Sequence, residues 1–255
     1  MFLFSLVLFF IATAMLLAWF LIRHDRGASE PVWALWLALG FGILGVFIAS
    51  PLEGWLINDR SLMAGAPYGG MLVAALGVGL IEEGVKFLPL ALLIYKRRYF
   101  NEHSDGVIYF ALAGLGFGLP ENIIYTLEFG TQAGKLRLLL TPIFHAAGTG
   151  IIGYFLIKRK LARINVLTVA IPLLLVAGLH GLYDFGLSTG NRLYLLMAIL
   201  ITLGLSATLF IVYLKATQMD QIKGLSAVGH NKFCRSCGKI NPRHHLYCIN
   251  CGKRA

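Results

Sequence analysis

The segment from residue 71 to residue 94 has the sequence MLVAALGVGLIEEGVKFLPLALLI, which is apolar apart from Glu82, Glu83 and Lys86. A charged side chain at bilayer depth is costly unless it faces a cavity or pairs with another group. Lys86 follows Glu82 by four residues, so both side chains lie on one face of a helix. Packing alone does not require two adjacent acids, and the pattern therefore predicts chemistry inside a membrane.

The composition of the whole chain is that of a membrane protein. It has 255 residues, of which 58% are hydrophobic and 13% are charged, whereas a soluble domain has about 25% charged residues. A net charge of +10 would suggest nucleic acid as a partner of a soluble protein. Here the basic residues cluster at the ends of apolar runs, as topology signals do. We therefore predict an all-α, polytopic membrane helix bundle and do not expect nucleic-acid binding.

Seven apolar runs are long enough to cross a bilayer, for which about 20 residues are needed. The runs are Phe2 to Ile22, Val32 to Ser50, Tyr68 to Tyr95, Val107 to Thr126, Leu138 to Ile157, Val166 to Phe185 and Leu193 to Leu214. The first run lacks a basic segment before it and is too long for the core of a signal peptide, so we interpret it as a span. In the fourth run, Gly114 and Gly118 form a GxxxG motif, which predicts close packing against a neighbouring helix.

The loops between these runs differ in their content of Lys and Arg. With the N-terminus outside, ten such residues fall in inner loops and four in outer loops. The inner ones are Arg23, Arg26, Lys96, Arg97, Arg98, Lys158, Arg159, Lys160, Arg163 and Lys215, and the outer ones are Arg60, Lys135, Arg137 and Arg192. Because basic residues accumulate on the cytoplasmic side, we predict an outside N-terminus. The chain then divides into a membrane domain at 1–214, a polar linker at 215–230 and a cytoplasmic domain at 231–255.

The cytoplasmic domain contains two CxxC pairs, Cys234 with Cys237 and Cys248 with Cys251, and each pair is followed by Gly and Lys. Four thiolates at this spacing suit one tetrahedral Zn²⁺, and four ligands leave no open position on the ion. We therefore predict a structural zinc ribbon, whose partner the sequence does not identify. Two disulfides are the alternative, but a cytoplasmic tail is kept reduced.

Four of the later runs carry residues that suit a functional site. They are Glu82, Glu83 and Lys86 on the third run, Phe117 and Glu121 on the fourth, His145 on the fifth, and His180 and Asp184 on the sixth. At about 1.5 Å per residue, one polar group of each helix lies roughly 8–10 Å from the outer end of its span. Independent structural residues would scatter in depth, so we predict one water-filled cavity near the extracytoplasmic face. By contrast, His103, Asp105 and Glu128 lie at span ends and are expected to be solvated.

The same motifs resemble those of a known family, the PrsW intramembrane proteases, which are distantly similar to the CAAX prenyl proteases and the Abi membrane proteins. In chain order the motifs are Glu82-Glu83-x-x-Lys86, Phe117-x-x-x-Glu121, His145 and His180-x-x-x-Asp184. The resemblance covers about residues 68–185 and implies a peptidase of a prokaryotic cell membrane. It also implies a membrane protein substrate, similar to an anti-sigma factor, that is cut on the outer side. Glu121 stands where the CAAX relatives have His, so prenylated substrates are not expected.

Within this resemblance the acids of the third run have different roles. Glu82 is expected to be the general base that takes a proton from water. Glu83 supports Glu82 and pairs with Lys86, whose positive charge means that the two acids need not both be protonated. Phe117 is expected to be a wall of the cavity.

The histidines allow two mechanisms that the residues do not separate. Either His145 and His180 bind a catalytic Zn²⁺, completed by Glu121 or Asp184, or they hold water and the oxyanion without a metal. Two other functional classes also stay open. A transporter or proton relay gathers such groups inside a membrane, and a non-catalytic sensor or scaffold would use the ribbon to bind a cytoplasmic partner.

Overall fold

The computed structural model describes residues 2–24, 30–57, 66–229, 231–233, 237, 240–242, 247–248 and 251–253. Within these residues the chain forms seven long helices and one pair of short strands. The helices are α1 (Phe2–Arg23), α2 (Val32–Leu56), α3 (Tyr68–Pro89), α4 (His103–Phe129), α5 (Thr131–Ala162), α6 (Leu167–Ser188) and α7 (Arg192–Gly229). The strands β1 (Asn231–Phe233) and β2 (Ile240–Pro242) pair antiparallel in the tail. The predicted all-α bundle is confirmed.

Five helices of the described part are long and apolar enough to cross a membrane, namely α2, α4, α5, α6 and α7. The apolar stretch of α1 is shorter, at Val7–Arg23, and α3 contains Glu82, Glu83 and Lys86. All seven helices overlap the seven runs that the sequence analysis interprets as spans. Large apolar side chains such as Trp36 are exposed along the bundle, which suits contact with lipid.

The largest extensions beyond the predicted spans are in α2, α5 and α7. Helix α2 continues past Pro51 to Leu56, at the loss of one backbone hydrogen bond. Helices α4 and α5 are joined by Gly130 alone, whose φ of 84° reverses the chain in one residue, so α5 begins at Thr131. Helix α7 continues through the predicted polar linker to Gly229. As a result, Glu53 and Arg137 lie on helices, outside the predicted spans.

Helix α4 packs against five of the other helices: α1, α2, α3, α5 and α7. Its contact with α5 is close because of two glycines. A Cβ added to Gly114 would lie 2.3 Å from the carbonyl oxygen of His145, and one added to Gly118 would lie 2.9 Å from the His145 Cδ2 atom. The close packing predicted from the GxxxG motif is confirmed, and it brings the His145 ring against α4.

A second close contact joins α3 to α6. A Cβ added to Gly79 would lie 2.3 Å from the carbonyl oxygen of Ala177, and one added to Gly181 would lie 2.6 Å from the Cα atom of Leu76. Gly79 lies one turn before Glu82, and Gly181 directly follows His180. The close approach of these backbones therefore brings the acids of α3 within reach of the His180 imidazole.

A cluster of polar side chains lies at the N-terminal end of α4. Both carboxylate oxygens of Asp220, on α7, accept hydrogen bonds from the first residues of α4: Oδ1 from the backbone N–H and Nδ1 of His103, and Oδ2 from the backbone N–H and Oγ of Ser104. We call these three residues the Asp220 cluster. Asp105, next to it, is buried and accepts the backbone N–H groups of Asn101 and Glu102.

The solvation expected for residues at span ends is thus wrong for two of the three. His103 is mostly buried, with a side chain that is 14% exposed, and Asp105 is fully buried. Asp105 accepts backbone N–H groups just before α4, as the free N–H groups of a helix N-terminus require. His103 donates from Nδ1 to the Asp220 carboxylate. Glu128, near the other end of α4, is exposed as predicted.

Candidate active site

All the polar residues singled out on α3 to α6 converge in one buried cluster. Their side chains come from four helices and connect through hydrogen bonds and ion pairs, although they are up to 102 positions apart in sequence, from Glu82 to Asp184. The members are Glu82, Glu83, Lys86, Glu121, His145, His180 and Asp184, and each is buried. We call them the Glu82 cluster.

Lys86 lies at the centre of this cluster. Its Nζ atom is 2.9 Å from Glu82 Oε2, 2.9 Å from Glu83 Oε1 and 2.9 Å from His145 Nδ1. It also lies 3.9 Å from the ring centroid of Phe117, which places a cation over an aromatic face. An ammonium group has three protons and no lone pair. Lys86 therefore donates all three protons to these acceptors and balances part of the charge of the two acids.

The contacts of His145 define its tautomer. Because the Lys86 ammonium can only donate, His145 Nδ1 is the acceptor, and we assign the ring proton to Nε2. His145 Nε2 lies 2.5 Å from Glu121 Oε2 and donates to it. Both ring nitrogens of His145 are therefore engaged by protein groups.

His180 is held differently. Its Nδ1 lies 2.9 Å from Glu83 Oε1 and donates to that carboxylate, so that a neutral ring carries its lone pair on Nε2. Among the described residues, His180 Nε2 has no hydrogen-bond partner, although the residue is fully buried. Glu82 Oε2 and Asp184 Oδ2 each lie 3.4 Å from this nitrogen. His180 Nε2 is one of seven such buried atoms among the described residues, and its place beside two carboxylates of the cluster is what favours a functional position.

These residues fit a metal ion. Glu82, His145 and His180 each offer a ligand atom, and the three atoms lie within 4.8 Å of one another. Two ligands about 2.0–2.1 Å from a tetrahedral ion are about 3.3 Å apart, close to the 3.4 Å that separates His180 Nε2 from either neighbouring carboxylate. A carboxylate on the far nitrogen of a histidine, as Glu83 is here, is the usual orienting partner of a metal ligand.

Arg137 is a member of the site that the sequence analysis missed, because it counts this residue among the outer loops. Arg137 is buried on α5, its Nη2 donates to Glu121 Oε1, and its guanidinium carbon lies 3.9 Å from the centroid of the Tyr125 ring. Position 137 falls just before the predicted span that begins at Leu138. If the span had been predicted to begin at Thr131, Arg137 would have been placed on the helix. No local signal in the sequence marks the one-residue turn at Gly130 as the start of a helix.

A small cavity of about 40 Å³ opens beside Glu82, between α2, α3 and α4. It is lined by Val46, Ala49, Ser50, Glu53, Glu82, Phe117, Glu121, Ile124 and Tyr125. A water molecule needs roughly 10–15 Å³, so water has room next to the Glu82 carboxyl group. Phe117 forms part of the wall, as expected from the sequence. Glu53 is a second missed residue, since it lies beyond Pro51, past the predicted end of α2.

Three of the four cysteines of the tail belong to the described residues. The Sγ atoms of Cys237, Cys248 and Cys251 lie within 4.8 Å of one another, and those of Cys237 and Cys248 are 3.7 Å apart. Sulfurs bound at about 2.3 Å to a tetrahedral ion are about 3.8 Å apart, whereas a disulfide bond is about 2.05 Å long. The three thiols therefore fit a metal, and Cys237 and Cys248 are not joined in a disulfide. Cys234 lies outside the described residues.

Comparison with known proteins identifies the family. Residues 30–215 match the family described as PrsW family intramembrane metalloprotease. The chain is 31% identical over 193 residues to Protease PrsW of Bacillus subtilis (strain 168), which covers 74% of this chain and 85% of that protein. It is 30% identical over 190 residues to Protease PrsW of Geobacillus kaustophilus (strain HTA426), covering 74% of this chain and 82% of that protein. The chain belongs to the PrsW family.

This PrsW-family chain is thus an integral membrane protein and a protease, which confirms the resemblance drawn from its motifs. A membrane protease has the lipid bilayer and membrane proteins as its partners. The family description implies a metal, and all seven residues of the Glu82 cluster lie inside the matched range. The tail cysteines lie outside that range. No solved structure matches the chain.

Proposed function

We propose that this protease hydrolyses peptide bonds of membrane-associated proteins similar to anti-sigma factors, at the Glu82 cluster, with Glu82 as the general base. The observation that carries the proposal is the buried Nε2 of His180, which has no hydrogen-bond partner among the described residues and faces two carboxylates. The cavity beside Glu82 provides the room that an attacking water needs.

In the proposed reaction Glu82 accepts a proton from water while the water oxygen bonds to the carbonyl carbon of the substrate. Glu82 then returns this proton to the amide nitrogen as the C–N bond breaks, so that the carboxylate is regenerated. Lys86 limits the repulsion between Glu82 and Glu83. Glu83 keeps the proton of His180 on Nδ1 and thereby keeps Nε2 available.

With Glu82 kept free as the base, a zinc ion in this site would be held by His180 Nε2 and Asp184, whose Oδ2 lies as near to that nitrogen as Glu82 Oε2 does. Zn²⁺ bound there would acidify a water molecule and polarise the substrate carbonyl. His145 can join as a third ligand only by releasing its bond from Lys86, because both of its nitrogens are engaged. Glu121 is the weaker candidate ligand, since Arg137 and His145 occupy its two oxygens.

The remaining parts of the proposal concern topology and the tail. We infer that residues 1–214 form the protease domain with the N-terminus outside, and that the Glu82 cluster lies near the extracytoplasmic face. The support is the excess of Lys and Arg in the inner loops. Residues 231–255 would then form a cytoplasmic zinc ribbon with Cys234, Cys237, Cys248 and Cys251 as ligands, supported by the spacing of its three described sulfurs. Its partner is left unassigned.

Substitution of the base is the direct test. Glu82→Gln removes the proton acceptor but keeps the shape of the side chain, and we expect cleavage of a co-reconstituted single-span anti-sigma factor to fall by about 10²–10⁴-fold. Glu128→Gln is the matched control, because Glu128 is exposed and is not a member of the cluster. Full cleavage by the Glu82→Gln protein, measured by mass spectrometry of the products, would refute the base assignment.

Elemental analysis tests the metal. Purified full-length protein and a form that ends at Gly229, and so lacks all four cysteines, are compared after removal of loosely bound ions. Two zinc ions per chain falling to one would support a catalytic ion in the membrane domain. One ion falling to none would favour the metal-free scheme, in which the histidines bind water and the oxyanion directly.

A further inference from the structure

The buried guanidinium of Arg137 has no part in the proposed reaction and needs an explanation. A buried charge is destabilising unless it is well paired, and Arg137 is only 6% exposed. It donates to Glu121 Oε1 and lies over the Tyr125 ring. Its backbone carbonyl also accepts a bond from Asn122 Nδ2 at 3.4 Å. Arg137 thus joins the start of α5 to the last two turns of α4.

The contacts of Arg137 continue into the Glu82 cluster without a break. Arg137 holds one oxygen of Glu121, and the other oxygen accepts the Nε2 proton of His145. His145 Nδ1 in turn accepts from Lys86, which also holds Glu82 and Glu83. Each bond in this series depends on the direction of the one before it, because an imidazole that donates from one nitrogen accepts at the other.

We propose that Arg137 is a positioning residue for catalysis. Its bond to Oε1 fixes the Glu121 carboxylate, Glu121 Oε2 keeps the His145 proton on Nε2, and His145 Nδ1 then holds Lys86 between the two acids of α3. This inference rests on the proposed function for its catalytic consequence, but the tautomer of His145 can be measured without any activity. If Arg137 were lost, no described residue would hold Glu121 Oε1, and the His145 proton could move to Nδ1. Lys86 would then lose one of its three acceptors.

The alternative is that Arg137 merely fastens α5 to α4. The two roles differ in what they predict for the ring proton and for the kinetics. If Arg137 is only a structural contact, its substitution changes the fraction of folded protein and the thermal stability. A positioning residue also changes the hydrogen bonding of His145 and lowers kcat more than it raises KM, because its effect is on the base and not on substrate binding.

The first experiment is nitrogen-15 NMR of histidine-labelled, full-length protein in lipid nanodiscs, with His145 assigned through His145→Gln. In the wild-type protein we expect the Nε2–H tautomer of His145. Arg137→Gln should give a mixture or the Nδ1–H tautomer, whereas Arg137→Lys, which keeps the charge, should retain Nε2–H. Wild-type imidazole shifts in a folded Arg137→Gln protein would overturn the proposal. If Arg137→Gln does not fold, the Arg137→Lys protein decides the point: retention of Nε2–H supports the proposal, and its loss despite the retained charge overturns it.

The second experiment is a kinetic cycle on a reconstituted substrate. Arg137→Gln should lower kcat by about 10–100-fold, the usual effect of an orienting partner, with KM changed by about twofold or less. Arg137→Lys should recover part of this loss. The double variant Glu121→Gln/Arg137→Gln should be no worse than Glu121→Gln alone, because both substitutions break one series of contacts. If the losses of kcat in the two single variants multiply in the double variant, the two residues act independently, and the proposal is overturned.

Arg159→Gln is the matched control. Arg159 lies on the same helix as Arg137 and also makes a side-chain bond, from Nη1 to the Tyr95 hydroxyl at 3.1 Å, but near the opposite end of α5. This variant should keep the wild-type kinetics and the wild-type His145 signals. Should even the wild-type protein cleave no substrate, the proposed function fails, while the NMR result still decides whether Arg137 controls His145.

Discussion

Helix α4 connects two buried polar clusters that satisfy their groups in opposite ways. At its first turn both oxygens of Asp220 accept two hydrogen bonds each, from His103 and Ser104. Glu121 lies eighteen residues after His103, about 27 Å farther along α4. It belongs to a cluster in which His180 Nε2 has no hydrogen-bond partner among the described residues. Burial and charge are common to both clusters. In the Glu82 cluster a buried imidazole nitrogen without a hydrogen bond faces two carboxylates, which suits a site for chemistry, whereas the filled carboxylate of Asp220 suits a structural contact.

The largest expected effect sharpens this difference at the histidines. His180→Asn removes the unpartnered nitrogen, and we expect the loss of cleavage to reach about 10²–10⁴-fold, with a melting temperature equal to or above that of the wild type. A functional site often holds groups that are unfavourable for stability, so removing one does not weaken the fold. Cleavage assays and thermal unfolding in detergent measure the two quantities.

His103→Gln is the paired control for His180→Asn. This change weakens the satisfied Asp220 cluster, so it should lower the melting temperature and leave cleavage per folded molecule unchanged. If the two substitutions had the same effects on activity and stability, the distinction between the clusters would be lost.

The close contact of α4 and α5 gives the next largest effect. Gly114→Ala puts a methyl group where a Cβ lies 2.3 Å from the carbonyl oxygen of His145, and we expect a loss of about 1–3 kcal/mol in the free energy of unfolding. Cleavage should fall with it, because the helices that carry Glu121 and His145 are pushed apart. Gly84→Ala is the control: no atom lies within 4 Å of its Cβ, so it should stabilise α3 by up to about 1 kcal/mol. A Gly114→Ala protein as stable as the Gly84→Ala protein would contradict the close packing.

A smaller effect is expected from Asp220→Asn, which tests the satisfied cluster directly. Asn keeps one acceptor oxygen in place of two, so two of the four N–H or O–H donors of His103 and Ser104 lose their partner. We expect the free energy of unfolding to fall by about 1–2 kcal/mol, the usual cost of a lost helix cap, and kcat of the folded protein to stay at the wild-type value. A fall in kcat without a change in stability would mean that this end of α4 also takes part in the reaction.

The smallest effect on proteolysis is expected from the tail. Cys251→Ser removes one of the three clustered sulfurs, and we expect the bound metal to be lost from the tail while cleavage of the membrane substrate is unchanged. The reason is that the four thiolates of the proposed ribbon would close the coordination shell and leave no position for a substrate. Metal content and cleavage are measured on the same preparation. Loss of cleavage would show that the ribbon contributes to the reaction or to the recruitment of substrate.

Most of the cluster is predictable from the sequence because charge is rare in apolar helices. Glu82, Glu83 and Lys86 are conspicuous in segment 71–94 for this reason, and helical spacing correctly pairs His180 with Asp184. Arg137 and Glu53 were not predicted because they lie one and three residues outside a predicted span, on helices that begin directly after Gly130 or continue past Pro51. Helix ends depend on contacts with the rest of the fold, and local propensity predicts them poorly.

The sequence by itself determined the all-α membrane bundle, the family, and the set of polar side chains that must avoid lipid, because hydropathy and a 3.6-residue period are local properties. Only the tertiary structure decided which partner each group takes. Lys86 engages His145, Arg137 engages Glu121, and His180 Nε2 faces two carboxylates without a hydrogen bond in the described part of the chain. These pairings depend on how closely neighbouring helices approach and how they are rotated about their axes, and packing at residues such as Gly79 and Gly114 sets both.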